Sequence, residues 1–191
     1  MIDLSIQFST DKNNLQRILD LQRINLRSNL APDEINSQGF LYVEHTYELL
    51  QTICETEPPI IALDGPNLAG YALCMNRIHS MKVSELRSFF ILLEKLTYHD
   101  KGLQECNYLV CGQICIAKPY RGFNLMRKLY VKMSELKTKY QYCITEVSSQ
   151  NIRSLNAHFK VGFKPIHEFL DEHEELWHIL LWDWNQNELT N

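Results

Sequence analysis

CGQICIAKPYRGFNLMRKLYVKMSELKTKYQYCITEVSSQNIRSLNAHFKVGF, residues 111–163, is the stretch that decides the fold. The apolar run Ile114-Cys115-Ile116 leads into the turn Pro119-Tyr120-Arg121-Gly122. A helical pattern follows at once, with Leu125, Leu129, Met133 and Leu136 on one face. A strand that passes through a Gly turn into a helix aims several backbone N–H groups at one spot. Those donors, with the positive end of the helix dipole, form an anion site. Arg121, Arg127 and Lys128 add formal positive charge nearby. The expected guest is a phosphate or a pyrophosphate.

Outward from this stretch the periodicity predicts the remaining elements. Residues 2–9 alternate Ile2, Leu4, Ile6 and Phe8 against polar partners, as a half-buried strand does. A helix is expected over 11–28 with Leu15, Ile18, Leu19 and Leu26 buried, and Ser9-Thr10-Asp11 offers its cap. Ala31-Pro32-Asp33 begins a break, and 35–42 reads as a loop. A second helix is expected over 43–55 with Leu49, Leu50 and Ile53 inward. Residues 60–63 and 69–75 read as a hairpin turning at Asp64-Gly65-Pro66-Asn67. Residues 84–97 look helical around Leu86, Phe89, Phe90, Leu93 and Leu96. A strand is expected over 106–117, a helix over 122–139, a strand over 142–147 and a short helix over 151–161. Residues 163–169 and 176–184 form a closing antiparallel pair, and the last residues fray. This order of elements suits one α/β (α+β) domain with a mixed, mostly antiparallel sheet flanked by helices.

Composition narrows the function. A chain of 191 residues holds one well-packed domain, and two would be cramped. A net charge of −4 gives no global basic field for nucleic acid. Apolar runs fall short of the ~20 residues that a membrane helix needs, and MIDLSIQFSTDK lacks a signal-peptide pattern. Neither nucleic acid nor membrane is therefore an expected partner, and the state is monomer or homodimer. Six cysteines are present, at 54, 74, 106, 111, 115 and 143. On one strand Cys111 and Cys115 share a face ~13 Å apart, too far for one metal. Buried free thiols are expected, which favours a reducing cytoplasm. His167, His173 and His178 lack zinc spacing, so no metal is expected.

The residues of 111–163 resemble the cofactor-binding half of the GNAT superfamily of N-acyltransferases. Arg121-Gly122-Phe123-Asn124-Leu125-Met126 occupies the family's Arg/Gln-x-x-Gly-x-Gly/Ala signature. Asn124 stands where the family usually has Gly, and Met126 where it has Gly or Ala. Asn tolerates positive φ better than most residues, so the backbone can still curl. Asn151, Ser154, His158, Gly162 and Phe163 match the second element: an Asn, a helix with a small and an aromatic residue, then Gly-Phe. The likeness is specific over about 107–170 and weaker over 1–106. It implies acetyl-coenzyme A (acetyl-CoA) as co-substrate, an amine of a small molecule or an exposed amino group as acceptor, and one acetyltransferase-like domain over 1–191.

The resemblance also implies roles for residues. The open edge of Ile114, Cys115 and Ile116 takes the pantetheine arm as if it were another strand. That edge arises where strands ending at Ala117 and Val147 splay, and an N–H near Ile116 faces the thioester carbonyl. The segment Arg121, Gly122, Phe123, Asn124, Leu125, Met126 and Arg127 holds the pyrophosphate. Asn151 hydrogen-bonds the cofactor arm, though a helix cap explains an Asn there equally well. His158 takes the place of the family's Tyr that protonates the leaving thiolate; a structural His is the alternative. Glu146 is the candidate base, with Glu44, Glu48 or a water chain as alternatives. Gln113 and Cys115 share a strand face that can line the acceptor pocket, and Tyr71 lies near its floor. Two rivals stand beside this reading: a non-catalytic coenzyme A (CoA) binding module, and an interaction module on the same scaffold.

Overall fold

The computed structural model describes residues 4–79 and 84–186. In chain order its elements are β1 (Leu4–Phe8), α1 (Lys12–Asn25), α2 (Pro32–Gln38), α3 (Tyr47–Cys54), β2 (Ile60–Asp64), β3 (Asn67–Met75), α4 (Ser84–Leu93), β4 (Thr97–Tyr98), β5 (Lys101–Gly102), β6 (Tyr108–Ile116), α5 (Leu125–Met133), β7 (Tyr142–Ser148), α6 (Ile152–Val161), β8 (Lys164–Leu170) and β9 (Leu176–Asp183). Seven strands form one sheet in the order β1-β2-β3-β6-β7-β9-β8, and β4 pairs with β5 separately. Within the large sheet only β6 and β7 run parallel. The mixed, mostly antiparallel sheet expected from the sequence is thus present. Ile2, Asp3, the side chain of Leu86 and residues 187–191 lie outside the described residues.

Alternation along the strands sends side chains to two helical layers. On one face Ile60, Ala62, Leu109, Cys143, Leu180 and Trp182 meet Leu125, Leu129 and Met133 of α5 and Leu155 of α6. On the other, Ile61, Tyr71 and Leu73 meet Leu15 and Ile18 of α1 and Leu50 of α3. Beside them Val110, Ile144 and Ile179 meet Phe89, Phe90 and Leu93 of α4. Local signals set the ends. Asp11 caps α1 by accepting from the Asn13 N–H at 2.9 Å, and Thr46 caps α3 through the Leu49 N–H at 3.2 Å. The β2–β3 hairpin turns at Gly65, whose φ is +56°. Trp182 packs its ring against Phe163, with centroids 5.8 Å apart, so Trp182, with Trp184, builds core.

Three expectations need correction. Residues 32–38 form a helix, not part of a loop: Pro32 sits in the first turn with Asp33 and Glu34, and Gly39 ends it at φ +75°. Those are a helix start and stop in sequence, but seven residues are too few to show a period. The expected helix over 122–139 is α-helical only from Leu125 to Met133 and tightens to a 3₁₀ form over Ser134–Thr138. Finally, Cys111 and Cys115 do not share a face. Leu73 pairs with Gln113 and Cys74 with Cys111, so Gly112 is an extra residue, a β-bulge in β6. Cys111 therefore packs with the α5 layer and Cys115 with the α1 layer. All six cysteines are free thiols.

The loop before β2 is tied to the turn before β7 by Glu57, which is 2 % exposed. Its carboxylate accepts from both Lys139 Nζ and the Tyr140 hydroxyl. Lys139 is half in solvent, whereas Tyr140 is buried, so loss of the carboxylate strands the phenol rather than the ammonium. Glu57→Ala should lower the unfolding free energy by about 1–3 kcal/mol. Urea titration measures it, and a loss below about 0.5 kcal/mol, the size of an ordinary surface change, would show that this tether is unimportant.

Candidate functional site

The parallel pairing of β6 with β7 covers only Tyr108↔Tyr142, Leu109↔Cys143 and Val110↔Ile144. Both strands continue past these pairs, β6 to Ile116 and β7 to Ser148. They part at Cys111, whose carbonyl accepts from Thr145 Oγ1 at 3.0 Å, so a hydroxyl stands where the ladder stops. On its other side β6 stays paired with β3 up to Ile116↔Gly70. Ala117 N–H then donates to the Ala69 carbonyl at 2.9 Å. In an antiparallel ladder the hydrogen-bonding direction alternates. Ala117 and Cys115 thus face β3, while Ile114 and Ile116 turn their backbone groups to the open side. The Ile116 carbonyl is indeed met there by Arg121 Nε at 3.0 Å.

The open edge runs into the turn and α5. Gly122 has φ +88° and Asn124 φ +58°, ψ +23°, the left-handed region that Asn visits more readily than most residues. The first bond into α5 is Lys128 N–H to the Asn124 carbonyl, 3.2 Å. The amides from Gly122 to Arg127 precede it, which leaves a cluster of donors at the positive end of the helix. A Cβ added at Gly122 would meet nothing within 4 Å, so the backbone there borders open space.

That space is a groove of about 710 Å³ between the end of β6, the start of α5, α6, and α2 with the residues after it. It is lined by Arg121, Arg127, Arg153 and Lys160 and by no carboxylate, in a chain of net charge −4. The structure brings together here Ile114, Cys115, Ile116, Arg121, Gly122, Asn124, Leu125, Met126, Arg127 and Asn151. Phe123 stands outside the lining, 54 % exposed. Arg121 lines the groove with the positive charge expected of it and is also a scaffold residue. Its guanidinium also donates to Gln38 Oε1 at 3.1 Å and Asn25 Oδ1 at 2.6 Å, joining α2 and α1 to β6. Sequence reading missed the α2 wall and the basic stripe Arg153 and Lys160 on α6; their spacing of seven on one helix was the available signal.

Asn151 is a helix cap and a tether together. Its Oδ1 accepts from the Ser154 N–H at 3.3 Å, and its Nδ2 donates to the Phe40 carbonyl at 3.1 Å. Gly39 comes so close that a Cβ would sit 2.8 Å from that Oδ1. His158 lies in the core, 1 % exposed. Its Nδ1 is 2.8 Å from the Ser154 carbonyl, which only accepts, so Nδ1 carries the proton and Nε2 accepts from the Tyr130 hydroxyl at 2.8 Å. Burial pushes its pKa down to about 4. Buried, with both ring nitrogens engaged by the protein, His158 has the geometry of the structural His that was the alternative to an acid there. Glu146 is on the opposite sheet face from Thr145 and Val147, partly exposed. Burial of its carboxyl, with the charge of Asp171, raises its pKa to about 8. Glu44 and Glu48 are exposed. Cys115 is buried and its thiol is pushed up to about 12 by burial, unsuited to nucleophilic attack. Among the described residues no group of three His, Cys, Asp or Glu is placed to hold a metal.

No family model matches the sequence, and no curated protein does. The fold, however, recurs among solved acetyltransferases. A chain of the NatC complex bound to Gag peptide and CoA matches with a TM-score of 0.64 at 13 % identity, over 95 % of this chain and 98 % of that one. YncA from Salmonella typhimurium, solved with its cofactor acetyl-CoA, matches with a TM-score of 0.62 at 12 % identity, over 98 % of both chains. Ard1 from Thermoplasma volcanium matches with a TM-score of 0.64 at 9 % identity, over 94 % and 97 %. The chain thus has the GNAT fold that these structures share.

The placement of His158 carries a stability consequence. Its folded pKa of about 4 lies below the ordinary 6.5. The unfolded chain therefore binds a proton below pH 6.5 that the folded chain refuses until about pH 4. The stabilising contribution is complete above pH 6.5 and is lost as pH falls towards 4, on the order of 3 kcal/mol in all. Urea midpoints for wild type and His158→Gln between pH 7 and 5 should converge as pH falls. Parallel curves would mean that the ring is not held neutral in the fold.

Proposed function

We propose that this protein is an acetyl-CoA-dependent N-acetyltransferase acting on a small-molecule amine or an exposed amino group. The observation that carries the reading is the unpaired edge at Ile114 and Ile116 running into the donor cluster of 122–127 inside a cationic groove. An edge that offers N–H and C=O groups suits the amides of a pantetheine arm, and the amide cluster suits its pyrophosphate. NatC and YncA, which share the fold, are solved with CoA and with acetyl-CoA. Free cysteines and the absence, among the described residues, of a helix able to cross a membrane fit a reducing, cytoplasmic setting.

The chemistry follows from the two sides of the fork. The edge and the 122–127 amides hold the thioester in place, which supplies orientation. A neutral amine nitrogen attacks the acyl carbon; the C–N bond forms and the carbonyl electrons move to oxygen. The Ile116 N–H, turned to the open side, is the donor placed to stabilise that oxygen. Collapse breaks the C–S bond and releases the thiolate, which takes a proton from water. The nitrogen loses its proton to Glu146, which lies on β7 beyond the last β6 pair and outside the groove's own lining, and whose raised pKa suits a base working near neutrality. His158 serves this site indirectly, by joining α6 to Tyr130 of α5. Its burial, which leaves no acid at the place the family's Tyr takes, favours a second reading: a non-catalytic CoA-binding module. Acetyl-CoA turnover with a panel of amines separates the two.

Gly122→Val should weaken CoA binding at least about tenfold, or 1.4 kcal/mol. It puts a β-branched side chain at φ +88° and into the space beside the amides. Calorimetry on a folded variant with unchanged affinity would falsify this placement of the pyrophosphate. Glu146 becomes a carboxylate only as pH passes about 8, so the rate should climb through that region. In Glu146→Gln the climb should vanish and turnover fall by about 10²-fold; a pH–rate profile unchanged in shape would assign the base elsewhere.

A further inference from the structure

The irregular segment 39–46 separates two cavities. Gly39, Phe40 and Leu41 line the cofactor groove, while Tyr42 to Tyr47 line a second cavity of about 580 Å³ against α1. Its backbone joins the end of α1 through Leu41 N–H to the Asn25 carbonyl and Arg27 N–H to the Leu41 carbonyl, both 2.9 Å. Its hold on the sheet runs through Gln113 of β6, whose Nε2 donates to the Val43 carbonyl at 2.7 Å, and through one carboxylate. Glu175, between β8 and β9, has a side chain 11 % exposed and accepts from the Tyr42 and Ser148 hydroxyls. Arg27 Nη1 lies 3.2 Å from its other oxygen. The same guanidinium donates through Nη2 to Gln150 at 2.7 Å and lies over the Phe40 and Tyr42 rings, 5.0 and 5.3 Å from their centroids. Tyr42 in turn packs on Trp177, centroids 4.8 Å apart.

We infer that Glu175 and Arg27 form a latch that holds segment 39–46 as the common wall of the two cavities, so that cofactor binding and order on the far side of the wall are coupled. The inference rests on the CoA reading for the groove's occupant. Backbone bonds join the turn after α1 to the segment and the end of β7 to the start of β9 (Ser149 N–H to the Leu176 carbonyl, 2.8 Å), and one buried carboxylate with three donors bridges these two pairs. A charge-assisted, bidentate-capable Arg–carboxylate contact stacked on aromatic rings is directional enough to do so. Asn151 completes the link, since it holds the Phe40 carbonyl from inside the groove. A ligand that orders Gly39 to Leu41 from one side meets a wall already ordered from the other, which is positive coupling.

The test is a double-mutant cycle on CoA affinity with Arg27→Met, Glu175→Gln and both changes, using variants whose melting temperatures stay within a few degrees of wild type. Amide hydrogen exchange of 39–46 is followed in parallel without ligand. Each single change should weaken CoA about five- to tenfold, the double change should be no worse than the weaker single, and the 39–46 amides should exchange faster in all three. If wild type binds CoA and both singles bind within twofold of it, the coupling is overturned. Unchanged exchange over 39–46 overturns the latch whatever CoA does. If wild type itself binds no CoA, the cofactor reading and the coupling both fall, and the exchange result alone decides whether Glu175 holds the segment.

Discussion

Hydrogen bonding between β6 and β7 ends after three residue pairs, and the site depends on that interruption. Had the ladder run on, the backbone groups of Ile114 and Ile116 would be consumed by β7 and no edge would remain. The interruption has local causes in the sequence. Gly112 adds a residue to β6 beside the last pair, and a bulge bends and twists the strand that carries it. Thr145 then occupies the Cys111 carbonyl with its side chain, so the first unpaired acceptor past the fork is not left bare in the core. The carbonyl of Ile116 is likewise covered by Arg121, which leaves the N–H of that residue as the group presented to the groove.

Electrostatics reinforces this geometry. An acidic chain concentrates four basic side chains around one groove and admits no carboxylate there. Such focusing attracts a polyanion more than net charge suggests. Arg121 shows how charge and scaffold are combined. Its guanidinium donates to the Ile116 carbonyl and to the Gln38 and Asn25 side-chain oxygens, so it acts as a fixed charge that also joins three elements. Fixed dipoles and charges need no reorganisation when a ligand arrives.

Much of this was legible in the sequence, because strands and helices long enough to show a period declare themselves. The Arg-Gly-Phe-Asn turn and the Asn-to-Gly-Phe helix located the groove, and ten of the eleven proposed binding residues line it. What could not be read has physical reasons. The wall made by α2 is a seven-residue helix, shorter than two turns, so no apolar stripe announces it. The bulge at Gly112 depends on a partner strand forty residues upstream, and a lone Gly is only a hint of it. Position on α6 did not reveal that His158 points into the core, because its partner Tyr130 belongs to another helix. Alternation correctly separated Glu146 from Thr145 and Val147 but could not say which face was which.

The strand order has a consequence for how the chain is made. β9 lies between β7 and β8 and pairs with β7 from Tyr142↔Asp183 to Ser148↔Trp177. Until residue 183 has left the ribosome, β7 has a few parallel bonds to β6 on one side and a bare apolar edge on the other. The nascent protein thus carries an unpaired strand next to the future binding groove until β9 has emerged. Such an edge is a template for pairing with a neighbouring chain. Inserting β9 removes the edge and seats Trp182 in one step, so synthesis of β9 is what turns an association-prone intermediate into a closed sheet.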